Sequence, residues 1–91
     1  MDDALLGYHK RATDQGISVE SACRLALVNV GIDGNSKLAR VCAISPAAMS
    51  GWVDRMVALG LVERETDPED RRSQVIGLTF EGARILTIIL G

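Results

Sequence analysis

The sequence has few aromatic residues, little cysteine, almost no histidine and no excess of basic charge. Trp52, Tyr8 and Phe80 are its only aromatics, His9 its single histidine, and Cys23 and Cys42 its only cysteines. One histidine leaves almost nothing from which to build a histidine-based metal site or catalytic triad. Two well-separated cysteines make neither a disulfide scaffold nor a metal knuckle, and they point to a reducing, cytoplasmic compartment. A Gly-rich phosphate loop, a nucleophile elbow and a cluster of metal ligands are all missing, so no enzyme, no cofactor and no bound metal is expected. Long hydrophobic runs are missing as well. The longest strongly apolar stretch is 85–90, interrupted by Thr87, whereas a membrane-spanning helix needs about 20 such residues. Asp2 and Asp3 stand where a signal peptide would carry basic charge, so no leader is expected.

What is present suits one small domain. The 91 residues are 47% hydrophobic with a net charge of −2, which excludes a disordered chain. A chain of this size buries only roughly 60–65% of its unfolded surface. Residues 1–35 hold five acids against three bases, and 36–91 hold seven of each. Nucleic-acid binders usually carry a basic footprint, so any contact with DNA must rest on a few well-placed cations.

Hydrophobic spacing divides the chain, as one unit over 1–91, into five helices and a hairpin. A first helix over 3–15 starts at Asp3, turns Leu5, Tyr8 and Ala12 to one face and ends at Gln15-Gly16. A second, over 19–30, is capped by Ser18 and carries Val19, Ala22, Cys23, Ala26, Leu27 and Val30 at helical spacing. Gly31 supplies its left-handed stop, and 32–34 leave room for no more than a stub of strand. Asn35 or Ser36 caps a third helix over 36–43, with Leu38, Val41 and Cys42 inward and Lys37 and Arg40 outward. After a three-residue connection, Ser45-Pro46 opens a fourth helix over 46–59, since Ser accepts free N–H bonds and Pro is preset for the first helical position. Met49, Trp52, Val53, Met56 and Val57 form its apolar stripe and Gly60 ends it. Small residues, Ala47, Ser50 and Gly51, occupy the opposite face at its N-terminal end.

Beyond Gly60 the period shortens to two. Residues 61–66 and 74–79 read as strands around a polar loop, 67–73, giving a hairpin over 61–79. Thr79 caps a last helix over 80–90 that is apolar nearly all round, with Phe80, Ala83, Ile85, Leu86, Ile88, Ile89 and Leu90. A helix without a polar face must be covered. The first helix can cover one side, and a second copy of the chain is the simplest cover for the other, through Phe80, Ile85, Leu86 and Ile89.

Two short helices joined by a tight turn and followed by a hairpin make a winged helix-turn-helix, a mainly α fold with a small β-hairpin (α+β). The physics suits double-stranded DNA. Small side chains let the fourth helix sit deep in a major groove, and its N-terminus offers free N–H groups to a phosphate. A wing bearing Arg71 and Arg72 can reach the negative potential of a minor groove. Winged helices also serve as protein-interaction modules, and the acidic balance leaves that alternative open.

The stretch 36–86 resembles the winged helix of the MarR family of bacterial transcriptional regulators. The likeness is carried by SKLARVCAISPAAMSGWVDRM for the two helices, LGLVERETDPEDRR for the wing and VIGLTFEGARIL for its exit. The Asp-Pro-Glu-Asp-Arg-Arg run, followed six residues later by Leu-Thr and then Gly, is its most specific part. The resemblance implies a homodimer on a pseudo-palindromic operator. The helix 46–59 would read the major groove through Ala47, Ala48, Ser50, Gly51 and Arg55. Arg72, oriented by Asp70, would enter the minor groove with Arg71 near a phosphate. Ser36, Lys37 and Ser45 would contact backbone phosphates, which set position rather than sequence. The chain departs from the family pattern in its short terminal helices, which leave a small-molecule effector pocket reduced or absent. It also has no Gln, Asn, Lys or Arg in the first two turns of the reading helix, and Ala43 where the turn commonly has Gly.

Overall fold

The computed structural model describes residues 3–91. In chain order the elements are α1 (Asp3–Asp14), α2 (Val19–Asn29), α3 (Asn35–Cys42), α4 (Pro46–Ala58), β1 (Val62–Asp67), β2 (Asp70–Leu78) and α5 (Phe80–Leu90). Five helices and a two-stranded antiparallel hairpin make a winged helix-turn-helix. Among the described residues, no helix is long and apolar enough to cross a membrane.

The core is centred on α4, whose Met49, Trp52, Val53 and Met56 are buried against Leu25 of α2, Leu38 of α3, Ile76 of β2 and Ile85, Leu86 and Ile89 of α5. Trp52 is 1% exposed, and its indole N–H donates to Ser21 Oγ at 2.9 Å. Ser21 Oγ also accepts from Ser18 Oγ, and Ser18 Oγ in turn accepts the Ser21 N–H that caps α2. One hydroxyl pair thus starts a helix and satisfies the only polar atom of a buried indole, which would otherwise cost about 1–3 kcal/mol. The Arg24 guanidinium covers the outer side of the Trp52 ring at 5.5 Å.

Burial of Ser21 rotates α2 away from the expected stripe. Its inward residues are Ser21, Ala22, Leu25 and Val28, while Val30 is 74% exposed and Cys23 lies on the surface. Similar corrections apply elsewhere. Val41 and Val57 are exposed, and Ala39 takes the inward place on α3. Among the described side chains of α1 only Ala12 is fully buried, with Leu5 and Tyr8 open to solvent. Asp3 belongs to α1 itself, so the residue capping that helix lies outside the described residues. The N-cap of α3 is Gly34, with no side-chain bond, rather than Asn35 or Ser36.

The wing is longer in strand and shorter in loop than the polar run 67–73 suggests. Asp67 pairs with Asp70 across a two-residue tip, and the Glu69 N–H donates to Asp67 Oδ1 at 2.9 Å. Thr66 pairs with Gln74, so Arg71, Arg72 and Ser73 form an irregularity in β2 with no opposite residue on β1. The stub at 32–34 adds a third, minimal strand: Gly34 bridges Val75, and the Ile76 N–H donates to Asp33 O at 2.7 Å.

At the wing's other end Thr79 and Gly82 form a tight junction. Thr79 Oγ1 accepts the Gly82 N–H and donates to Gly60 O, while the Thr79 N–H bonds Leu61 O at 3.1 Å. A Cβ on Gly82 would collide with the Leu61 carbonyl oxygen. Here lies the physical reason for the Leu-Thr-x-x-Gly pattern after the wing: only glycine lets α5 start against the entry to β1.

Two stability effects follow. Gly82→Ala forces apart two backbones and is expected to cost about 1–3 kcal/mol, the usual penalty of overpacking. Ala43, the left-handed residue between α3 and α4 at φ 57° and ψ 41°, carries a strain of roughly 1 kcal/mol that glycine does not. Ala43→Gly is therefore expected to raise the urea midpoint of unfolding; an unchanged or lower midpoint would show that the turn is relaxed with alanine.

Candidate nucleic-acid interface

The exposed face of α4 is short and plain. Ser45 is its N-cap, accepting the Ala48 N–H at 3.1 Å, and Ala47 and Ala48 stand exposed in the first turn. Pro46 at the first helical position has no N–H, and those of Ala48 and Met49 are taken by Ser45 Oγ and Ser45 O. Gly51 is half-buried, and a Cβ there would meet Arg55 Nη1 at 3.8 Å, so Arg55 lies back along the helix toward it.

A groove of about 580 Å³ runs between the N-terminus of α3 and the wing, and Ser36, Lys37, Ser50, Arg64 and Arg72 are among the residues lining it. Lys37 and Arg72 are exposed cations on opposite banks. Asp33 and Asp67 also line the groove, so its field is mixed, in keeping with the charge balance of the chain.

Arg64 and Asn35, expected only as a strand residue and a helix cap, hold this groove in shape. Arg64 on β1 reaches α4, with Nη2 at 2.8 Å from Asp54 Oδ1 and donating to Ser50 O at 3.3 Å. Asn35 at the start of α3 donates from Nδ2 to Pro46 O at 3.2 Å and accepts from Ser50 Oγ at 3.3 Å. The wing, α4 and α3 are thereby linked through Ser50. Its hydroxyl proton is engaged with Asn35, so Ser50 serves the architecture as well as the surface.

Arg72 projects from the irregular part of β2 with its side chain 92% exposed. Asp70 holds its base: one carboxylate oxygen accepts the Arg72 N–H at 3.0 Å and Nε at 3.3 Å, and the other accepts from Ser73 Oγ. The backbone bond from Arg72, then its side-chain bond, lower the Asp70 pKa below the ordinary carboxylate value, with desolvation opposing them and the Ser73 bond adding to them. The side chain is otherwise open to solvent at the edge of the groove. Arg71 is also exposed.

Of the residues proposed for DNA contact, the structure gathers Ser36, Lys37, Ser50 and Arg72 at the groove, with Ser45, Ala47, Ala48, Gly51 and Arg55 on the adjoining helix. The residues expected at a dimer interface are placed differently. Ile85, Leu86 and Ile89 are 2–7% exposed and belong to the chain's own core, whereas Phe80 is 87% exposed. The phase of α5 accounts for this, because α1 and α2 pack on the Ile85–Ile89 face and leave Ile88, Leu90 and Phe80 outside.

The model of the MarR family matches residues 33–74, which contain α3, α4 and most of the wing. Over 84 residues, 91% of the chain, the sequence is 31% identical to the HTH-type transcriptional repressor NicR of Pseudomonas putida and spans 53% of that protein's length. The fold is similar to that of a MarR point mutant from E. coli in complex with operator DNA, with a TM-score of 0.82 at 23% identity over 96% of this chain and 63% of the other. It is likewise similar to that of a MepR point mutant from S. aureus bound to an oligodeoxyribonucleotide, with a TM-score of 0.84 at 17% identity over 96% and 65%.

The Asp70 bonds carry a pH consequence. A carboxyl whose folded pKa is lowered contributes its bonds fully above its unfolded pKa and loses them as the pH falls through the folded one. A carbon-13 titration of the Asp70 carboxyl is expected to give a midpoint below that of an unfolded-chain Asp, moving upward in Arg72→Ala. A midpoint unmoved by that substitution would mean that the Arg72 side chain does not bind Asp70 in solution, since the backbone bond survives it.

Proposed function

We propose that the chain is a transcriptional regulator of the MarR family, whose model matches residues 33–74, and that it binds double-stranded DNA sequence-specifically as a homodimer. The N-terminal turns of α4 enter the major groove, and Arg72 enters the adjoining minor groove. The observation that carries this reading is the pairing of a small-residue helix face with an Arg held outward by Asp70, the two fixed to one another by Arg64. The operator DNA named for the MarR mutant and the oligodeoxyribonucleotide named for the MepR mutant support it, since both share this fold.

Roles divide by chemistry. Ser36, Lys37 and Ser45, at helix N-termini, supply phosphate contacts and set the register. Ala47, Ala48 and Gly51 allow close approach to base edges and methyl groups, with Arg55 further along the helix. Arg71 and Arg72 supply the cationic contacts of the wing. With few hydrogen-bonding side chains on α4, specificity leans on apolar contact and groove shape rather than on bidentate base pairing.

Homodimerisation would proceed through apolar side chains left outside on the terminal helices, Leu5 and Leu6 of α1 and Ile88 and Leu90 of α5, each 37–54% exposed. These replace Ile85, Leu86 and Ile89 as the dimer residues. Sedimentation equilibrium is expected to show a dimer at tens of micromolar that Ile88→Asp combined with Leu90→Asp converts to folded monomer. A wild-type monomer at that concentration would exclude this surface.

Fluorescence anisotropy with operator duplex tests the DNA reading. Arg72→Ala is expected to weaken binding at every site, by about 10-fold or more, while leaving the thermal midpoint unchanged, because the side chain is exposed. It is also expected to flatten the dependence of log K on log salt, by about one phosphate contact for each Arg72 engaged. Unchanged affinity, or loss of the fold in place of loss of binding, would remove Arg72 from the interface.

A further inference from the structure

Both cysteines of the chain line one shallow pocket, away from the groove between α3 and the wing. The pocket has a volume of about 420 Å³. Val19, Cys23 and Leu27 of α2 wall one side, and Cys42 and Ile44, at the end of α3, wall the other. Cys23 is exposed, Cys42 is half-buried, and both are free thiols. Of the charged groups beside them, Arg24 lies over Trp52, and Glu20 reaches out to solvent with one oxygen 3.8 Å from Arg24. The remaining lining is apolar, so the two sulfurs are the soft donors that this pocket offers a ligand.

We propose that Cys23 and Cys42 together bind one soft, two-coordinate cation of the Cu(I) class as a bis-thiolate, joining α2 to the end of α3. Thiolate sulfur selects soft cations. Among the described residues no group of three or more His, Cys, Asp or Glu could hold a metal ion. A four-coordinate zinc and a hard, oxygen-seeking cation therefore both lack donors here. In the binding step two S–H bonds break, two sulfur–metal bonds form and two protons pass to solvent. No electron is transferred. The product carries one negative charge beside the Arg24 guanidinium.

A titration of the reduced full chain with Ag(I) tests this, since Ag(I) shares the preference for two thiolates and brings no redox chemistry. Competition against a soluble thiol, read by native mass spectrometry, is expected to give one Ag(I) per chain with the loss of two protons. Cys23→Ser and Cys42→Ser are each expected to weaken binding 100-fold or more, because the second sulfur's effective concentration is lost. Two Ag(I) per chain, or a single-cysteine variant with wild-type affinity, would show independent thiols and overturn the proposal. One Ag(I) shared between two chains would overturn it as well. Should Cys42→Ser unfold the protein, Cys23→Ser, at an exposed position, decides the outcome.

Discussion

The position of the reading helix depends on one buried indole. Trp52 occupies the centre of α4's inner face, and its N–H finds its partner in Ser21, 31 residues earlier. Apolar burial alone would let α4 rotate or slide against α2, since hydrophobic contact has no direction. The hydrogen bond fixes the phase. It also draws Ser21 inward, which sets the rotation of α2 and puts Cys23 on the surface. With the inner face of α4 locked, Ala47 and Ala48 are turned outward, and the surface offered to a ligand follows from the core.

The wing is fixed to this helix by polar and steric means rather than by a second core. Arg64 bonds Asp54 and the Ser50 carbonyl, Asn35 bonds Ser50 and Pro46, and Gly34 bridges Val75. Each contact is partly exposed and contributes modestly to stability. Their common effect is geometric: they hold the distance and angle between α4 and Arg72. At the far end the Gly82–Leu61 approach seats α5 against the start of the wing, so both ends of the hairpin are anchored while its tip stands free.

Local chemistry made much of this legible from sequence. The Ser45-Pro46 start, the Thr79 cap and the Gly60 stop involve partners within a few residues, and each forms as its residue types dictate. The α4 stripe was clear because four bulky residues repeat at helical spacing. Contacts between distant residues left no such trace. Ser21 reads as a surface serine until Trp52 is placed over it; Arg64 and Asn35 read as an exposed strand residue and a helix cap until Ser50 lies beside them, 14 and 15 residues away. The polar run 67–73 looked like a loop because its strand pairing at Asp67–Asp70 uses turn-forming residues. On α5, uniform hydrophobicity hid which side faced inward, and only packing against α1 and α2 assigned Ile85, Leu86 and Ile89 to the core.

Selection of bound duplexes from a random DNA pool at low salt, followed by sequencing, tests the central claim most directly. A rigid α4–wing unit on a symmetric dimer predicts enrichment of an inverted repeat whose half-sites lie about one helical turn apart. A single enriched half-site would keep DNA reading and discard the dimer. No enrichment by the folded protein would contradict the account, and the surface of α4 and the wing would then be a docking face for another protein.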